Sequence, residues 1–184
     1  MTENNLKTKN LINLGPSGRA VAHPMDTDLL DNFYEHLTME RCANVQYFSI
    51  YLWFQERDLD GFASYFLNES QGEMEHAYKF ANYLIARGQN VKLNGLSAPI
   101  QQWDSIEDLI SYSFNMEADL TASLQQLYSM SERISDTRST VFLDPIVDAQ
   151  INSEDELAHV LGKVKFAANQ PSAILLIDSD LKKK

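Results

Sequence analysis

Apolar residues recur every three to four positions in four long stretches of this chain, the pattern of helices that each bury one face. The first stripe runs Leu30, Phe33, Leu37, Glu40, Asn44 or Ala43, Tyr47, Ile50 with Tyr51, and Phe54. Asp26 or Thr27 suits its N-cap, and residues 58–61 read as a turn. The second stripe is Phe62, Phe66, Glu69, Glu73, His76 with Ala77, Phe80 and Leu84. It predicts a helix over 62–87, with Gly88 as the left-handed residue just past its end. The third opens on the capping pair Ser105 and Asp108 and continues through Ile106, Leu109 with Ile110, Ser113, Glu117, Leu120, Leu124 and Leu127. The fourth follows Ser135 and Asp136, with Leu143, Ile146 with Val147, Gln150, Ser153, Leu157, Val160 with Leu161, and Val164. Pro145 falls inside it and predicts a kink or loosened hydrogen bonds. After Pro171, residues 172–181 suit a short fifth helix, and no β pattern matches these in strength.

The connections carry topology. Residues 89–104, with Gly95 and Pro99, form a long link without periodicity. Antiparallel neighbours need only a few residues, so this length suits a crossover joining two helices that run the same way. The expected architecture is an all-α four-helix bundle with a long crossover between its second and third helices. Residues 1–25 are polar, carry Gly15, Pro16 and Gly18, and end near Pro24. They read as a flexible or loosely docked tail, leaving 26–184 as one domain.

Each apolar stripe is interrupted by a polar residue. Glu73 and His76 sit one turn apart on the same face, so both can reach a single ion. Glu40, Glu117 and Gln150 interrupt the other three. Glu40 lies 33 positions before Glu73, and Glu117 lies 33 before Gln150, so two hairpins of similar size place these residues at similar depth. Carboxylates in an apolar interior are costly unless paired or metal-bound, and no basic residue shares the stripes. Carboxylates with one imidazole and no thiolate suit iron or manganese better than structural zinc. A symmetric di-iron bundle carries two Glu-x-x-His pairs. Here Gln150-x-x-Ser153 stands in the second place, which predicts an asymmetric centre with one weaker, exchangeable metal position. Tyr47, seven residues after Glu40, shares its face and suits a ligand hydrogen bond, electron donation or core packing. Glu69 faces either solvent or an approach to the centre. Asp144 and Asp148, one turn apart, read as surface residues or as a cation path. His23, His36 and His159 read as structural or solvated.

Composition narrows the partners. The chain has 184 residues and a net charge of −11, which opposes binding to duplex DNA and suits attraction of cations. Cys42 is the one cysteine, so no internal disulfide forms. The N-terminus has no apolar signal-like run and no stretch suits a membrane span, so a cytoplasmic location is expected.

Over residues 26–182 the chain resembles ferritins, most closely the non-haem bacterial ferritins of cyanobacteria. The resemblance rests on Met39-Glu40-Arg41 with Tyr47, Glu73-Met74-Glu75-His76, Glu117, and Val141-Phe142-Leu143-Asp144-Pro145 with Gln150. It implies a bundle with a short fifth helix, assembled as a hollow 24-subunit cage that oxidises Fe(II) with oxygen and stores the ferric mineral. It also implies that Glu40 and His76 bind one iron, Glu73 bridges both, and Glu117 holds the second. Gln150 would hydrogen-bond nearby, as in animal heavy chains, and Tyr47 matches the tyrosine beside the site. Glu69 matches an acidic residue on the inner route and Asp148 one near the centre. The missing second Glu-x-x-His argues against haem. Gly72 stands where relatives carry an acid, and Thr140 and Leu143 stand near the three-fold channel acids of animal ferritins.

The expectation is therefore a di-iron ferroxidase and iron store, a homo-oligomer without nucleic-acid or membrane partners. Rivals are a rubrerythrin-like di-iron oxidoreductase that stores no mineral, a DNA-protecting mini-ferritin, and a metal-free interaction module. Absence of a Cys-rich segment opposes the first, the acidic charge the second, and three interior glutamates the third.

Overall fold

The computed structural model describes residues 12–182. Five helices follow in order: α1 (Thr27–Gln55), α2 (Asp60–Ala86), α3 (Ile106–Arg133), α4 (Thr137–Ala167) and α5 (Pro171–Leu181). The first four form the bundle and α5 packs across its end, mainly on α2. Asp26 caps α1 by accepting from the amides of Asp28 and Leu29 at 3.0 and 3.1 Å, and Ser105 caps α3 by accepting from Asp108 N. Gly88, at φ +76°, ends α2 in the left-handed conformation that costs glycine least. No β-strand forms among the described residues beyond one isolated bridge, Leu14 to Ala20.

One boundary differs from the sequence reading. α2 begins at Asp60, so the expected 58–61 turn is shorter. Its first turn has no local side-chain cap; instead Asp178 of α5 accepts from Phe62 N at 2.9 Å, satisfying an orphan amide from across the fold. That approach needs Gly61, where an added Cβ would lie 1.8 Å from Asp178 O. Of the two readings of the N-terminal segment, flexible or loosely docked, residues 12–25 follow the second: Ser17 Oγ donates to Gly88 O at 2.8 Å, Arg19 donates to Ile85 O, and Met25 is buried. Residues 1–11 of the expected tail lie outside the described residues. α4 is assigned as one helix through Pro145.

The 89–104 link runs beside α1, parallel to it. Tyr34 donates to Asn90 O, Arg41 to Asn94 O, and Gln46 exchanges two bonds with the Ile100 backbone at 2.8 and 2.9 Å. α3 therefore starts at the same end as α2. The core falls into two clusters. One gathers Ala43, Ile50 and Phe54 with Phe62, Phe66, Leu109, Leu157 and α5; Phe54 stacks on Phe62 at 4.8 Å. The other gathers Leu29, Phe33 and Leu37 with Ala77, Phe80, Leu124 and Leu143. Leu29 rather than Leu30, and Ala43 rather than Asn44, fill α1's innermost positions; Asn44 instead donates to Ser70 O of α2 at 2.7 Å. Along α1, α2 and α4 the break between clusters coincides with Glu40, Glu73 and Gln150.

Candidate metal centre

Heptad-like spacing brings the stripe acids to one level inside the bundle. Glu40 on α1 and Glu73 on α2 are 2% and 4% exposed, and the His76 side chain is 24% exposed. Glu40, Glu73 and His76 each offer one ligand atom within 4.8 Å of the others. His76 Nδ1 lies 3.1 Å from Glu73 Oε2 and 3.6 Å from Glu40 Oε2. Glu40 Oε2 is buried and accepts no hydrogen bond, a cost that a cation would remove. Two carboxylates and one imidazole nitrogen converging on a desolvated point fit a hard or borderline divalent ion.

Glu117 of α3 stands outside this trio and is fully buried. Tyr47 OH donates to its Oε1, and Gln150 Nε2 donates to its Oε2 at 2.7 Å. The two bonds fix the carboxylate, with one donor from α1 and one from α4. Phe66 packs on Tyr47 at 5.6 Å between ring centroids, which restrains the phenol. Ser153 is half-buried, so α4 contributes an amide but no acid or imidazole at this level.

The electrostatics are those of acids held too close without a cation. Burial opposes ionisation of Glu40, but the His36 hydrogen bond and the adjacent His76 and Glu73 outweigh it and hold its carboxyl well below the usual range. Burial pushes Glu73 up to about 9, against the His76 hydrogen bond and reinforced by Glu40 and Glu117. The adjacent Glu40 and Glu73 carboxylates raise His76 to about 10 although burial opposes this. Burial also raises Glu117, partly offset by Tyr47 and Gln150. Burial, then Glu117 and Glu156, lifts Glu69 to about 7. Burial and the Glu117 charge raise Tyr47, which favours a neutral phenol able to donate.

Not every expected residue joins the cluster. Glu69 is half-buried on α2, one turn before Glu73; it interacts electrostatically with Glu117, Glu156 and His76 but is not one of the three converging ligands. Asp144 and Asp148 lie exposed on α4, with Asp144 accepting from Tyr128 OH at 2.8 Å. His36 is the residue the sequence reading left generic. It is fully buried, its Nε2 donates to Glu40 Oε1 at 2.9 Å, and its Nδ1 lies 2.9 Å from Ser123 Oγ of α3. The signal was present: His36 precedes Glu40 by one turn on the same face, and a metal-binding carboxylate needs an orienting partner. A cavity of about 610 Å³ beside His23, Asp26 and Asp136 contains none of the clustered ligands.

Comparison with known proteins agrees with this fold. A family model described as a ferritin-like domain matches residues 30–167. A bacterial non-heme ferritin of Bacteroides fragilis (strain 638R) is 26% identical over 147 residues, covering 80% of this chain and 91% of the relative. An iron-soaked PmFTN variant superposes with a TM-score of 0.80 at 30% identity, covering 84% of this chain and 98% of that one. The open pore ferritin of Archaeoglobus fulgidus shares the fold at a TM-score of 0.84 and 22% identity, over 87% and 99% of the two chains. With the family match spanning most of the bundle and the helix order reproduced in solved structures, the chain belongs to the ferritin family.

Proposed function

We propose that this chain is a ferroxidase and iron-storage protein in which Fe(II) is both substrate and cargo. The observation that carries this reading is the convergence of Glu40, Glu73 and His76 within 4.8 Å, with Glu40 Oε2 buried and unpartnered and Glu117 held by Tyr47 and Gln150. Glu40 and His76 would hold one iron, Glu73 would bridge, and Glu117 would hold the second. Bound Fe(II) supplies the electrons that reduce dioxygen. The chain's part is positional and protonic. His36 orients Glu40, and His76 and Glu73 release their protons as the ions arrive. Tyr47 and Gln150 keep Glu117 aimed inward. Because Glu117 already accepts two hydrogen bonds and α4 adds no ligand, the second position binds more weakly, which suits iron that moves on to storage. Glu69, then Asp144 and Asp148, would line later stages of that movement. The assembly would be a cytoplasmic 24-subunit cage without haem, and residues 26–184 would form its subunit domain. No helix among the described residues is long and apolar enough to cross a membrane.

The test is aerobic addition of Fe(II) to metal-free protein, following ferric absorbance for wild type and Glu73→Ala, with particle mass measured in parallel. Oxidation of about two Fe per subunit, lost in the variant and followed by mineral growth in a cage-sized wild type, is expected. Fast oxidation by a dimer that deposits no mineral would select the rubrerythrin-like reading. No rate above the protein-free control would end the ferroxidase reading.

A further inference from the structure

A cavity of about 210 Å³ opens between α2 and α4 against the back of the metal cluster, lined by His76, Lys79, Phe142, Pro145, Ile146 and Ala149. Lys79, Pro145 and Ala149 are exposed, whereas Ile146 is buried and Phe142 half-buried, so the opening lies at the first three and the cavity deepens toward the others. His76 turns Nδ1 to Glu73 and Glu40, which leaves the opposite edge of its ring to the cavity and accounts for its residual exposure. The cavity thus ends on a residue of the centre without passing any of its carboxylates.

Its chemistry does not suit a cation. No acid lines it; Asp144 is engaged by Tyr128, and Asp148 lies outside the lining. A divalent ion entering here would lose hydration against an aromatic ring, a proline ring and aliphatic carbon, with the Lys79 ammonium at the opening repelling it. A small apolar molecule meets none of these penalties, since apolar cavities stay dry and take up uncharged guests. The geometry points to an apolar side passage that delivers dioxygen to the His76 edge of the centre, separate from the acidic residues proposed for the movement of iron. This rests on the ferroxidase reading above.

Ala149 is exposed, so Ala149→Phe can cover the opening without overpacking the core. Two measurements decide the matter. Xenon pressurised into crystals of the metal-free protein should occupy the space between Phe142, Ile146 and His76 in wild type and be displaced in Ala149→Phe. In solution the variant should raise the KM for dioxygen about threefold, with kcat at saturating oxygen and the anaerobic rate and stoichiometry of Co(II) binding unchanged. Ala149→Ser, which leaves the opening clear, should match wild type in both. Absence of xenon in wild type, an unchanged oxygen dependence in Ala149→Phe, or slowed Co(II) binding would each overturn the passage. Wild type that binds xenon but never oxidises Fe(II) would defeat the ferroxidase reading instead, and with it the role of the cavity.

Discussion

Removing the titratable proton at Glu73 should make the metal-free protein more stable while abolishing the stabilisation that metal confers. Glu73 is 4% exposed and burial lifts its carboxyl from the ordinary 4.5 to about 9. In the unfolded chain at pH 7 the group is ionised; in the folded chain it keeps its proton. Holding that proton 2.5 pH units above 4.5 costs about 3 kcal/mol, at 1.36 kcal/mol per unit. Glutamine has nearly the same shape, never ionises, and can still meet His76 and Glu40 with hydrogen bonds. Glu73→Gln should therefore raise the melting temperature of chelator-treated protein by roughly 6–12 °C, at about 2–4 °C per kcal/mol for a chain of this size. The pH dependence has a definite sign. A carboxyl whose folded pKa is raised destabilises the fold increasingly as pH climbs above 4.5, up to about 9. The difference between variant and wild type should vanish near pH 4.5 and widen toward pH 9. Adding Co(II) should reverse the order, because only wild type retains both carboxylates of the cluster and gains binding energy by mass action. Differential scanning calorimetry with and without metal, at several pH values, reads all of this. A metal-free Glu73→Gln protein that melts below wild type at pH 7 would refute the claim that the centre is strained by its own acids.

Two further outcomes follow from the same geometry. His76 and Glu73 hold protons to about 10 and 9 in the metal-free state, so metal must displace them. Apparent Co(II) affinity should rise with pH toward 9, and calorimetry in buffers of different ionisation enthalpy should show on the order of one to two protons released per ion at pH 7; buffer-independent heat would contradict this. At the far end of the bundle, Gly61→Ala places a methyl 1.8 Å from Asp178 O and must push α5 off the start of α2. Chemical denaturation should show a loss of about 1–3 kcal/mol, and hydrogen exchange at Phe62 N should quicken as its bond to Asp178 lengthens.

Much of the centre was legible in one dimension because helix periodicity is local. Glu73 and His76 share a face wherever α2 sits, and Glu40, Glu117 and Gln150 reveal themselves as polar residues on apolar stripes. The same logic reached the Asp26 and Ser105 caps, since a cap bonds amides two or three residues away. It failed where a partner comes from another element. The start of α2 lacks a local capping side chain, so its boundary was read late; Asp178, more than a hundred residues downstream, supplies the bond. His36 could be placed on the face of Glu40 but not given its role, because its environment includes Ser123 of α3.

What the sequence determined by itself was the number of helices, their inward faces, the parallel sense of α2 and α3 implied by a long link, and the donor types of a candidate metal centre. These follow from periodicity and chain length, which act over a few residues. Only the tertiary structure decided which donors meet. It brings Glu40 to Glu73 and His76 while leaving Glu117 outside that trio, held by Tyr47 and Gln150. It also leaves Asp144 and Asp148 on the exposed side of α4. Convergence depends on the rotation and axial offset of one packed helix against another. Those are set by how Phe33, Phe54, Phe66, Phe80 and their neighbours interdigitate in the two clusters, and close packing of that kind is a property of the assembled interior, not of any one segment.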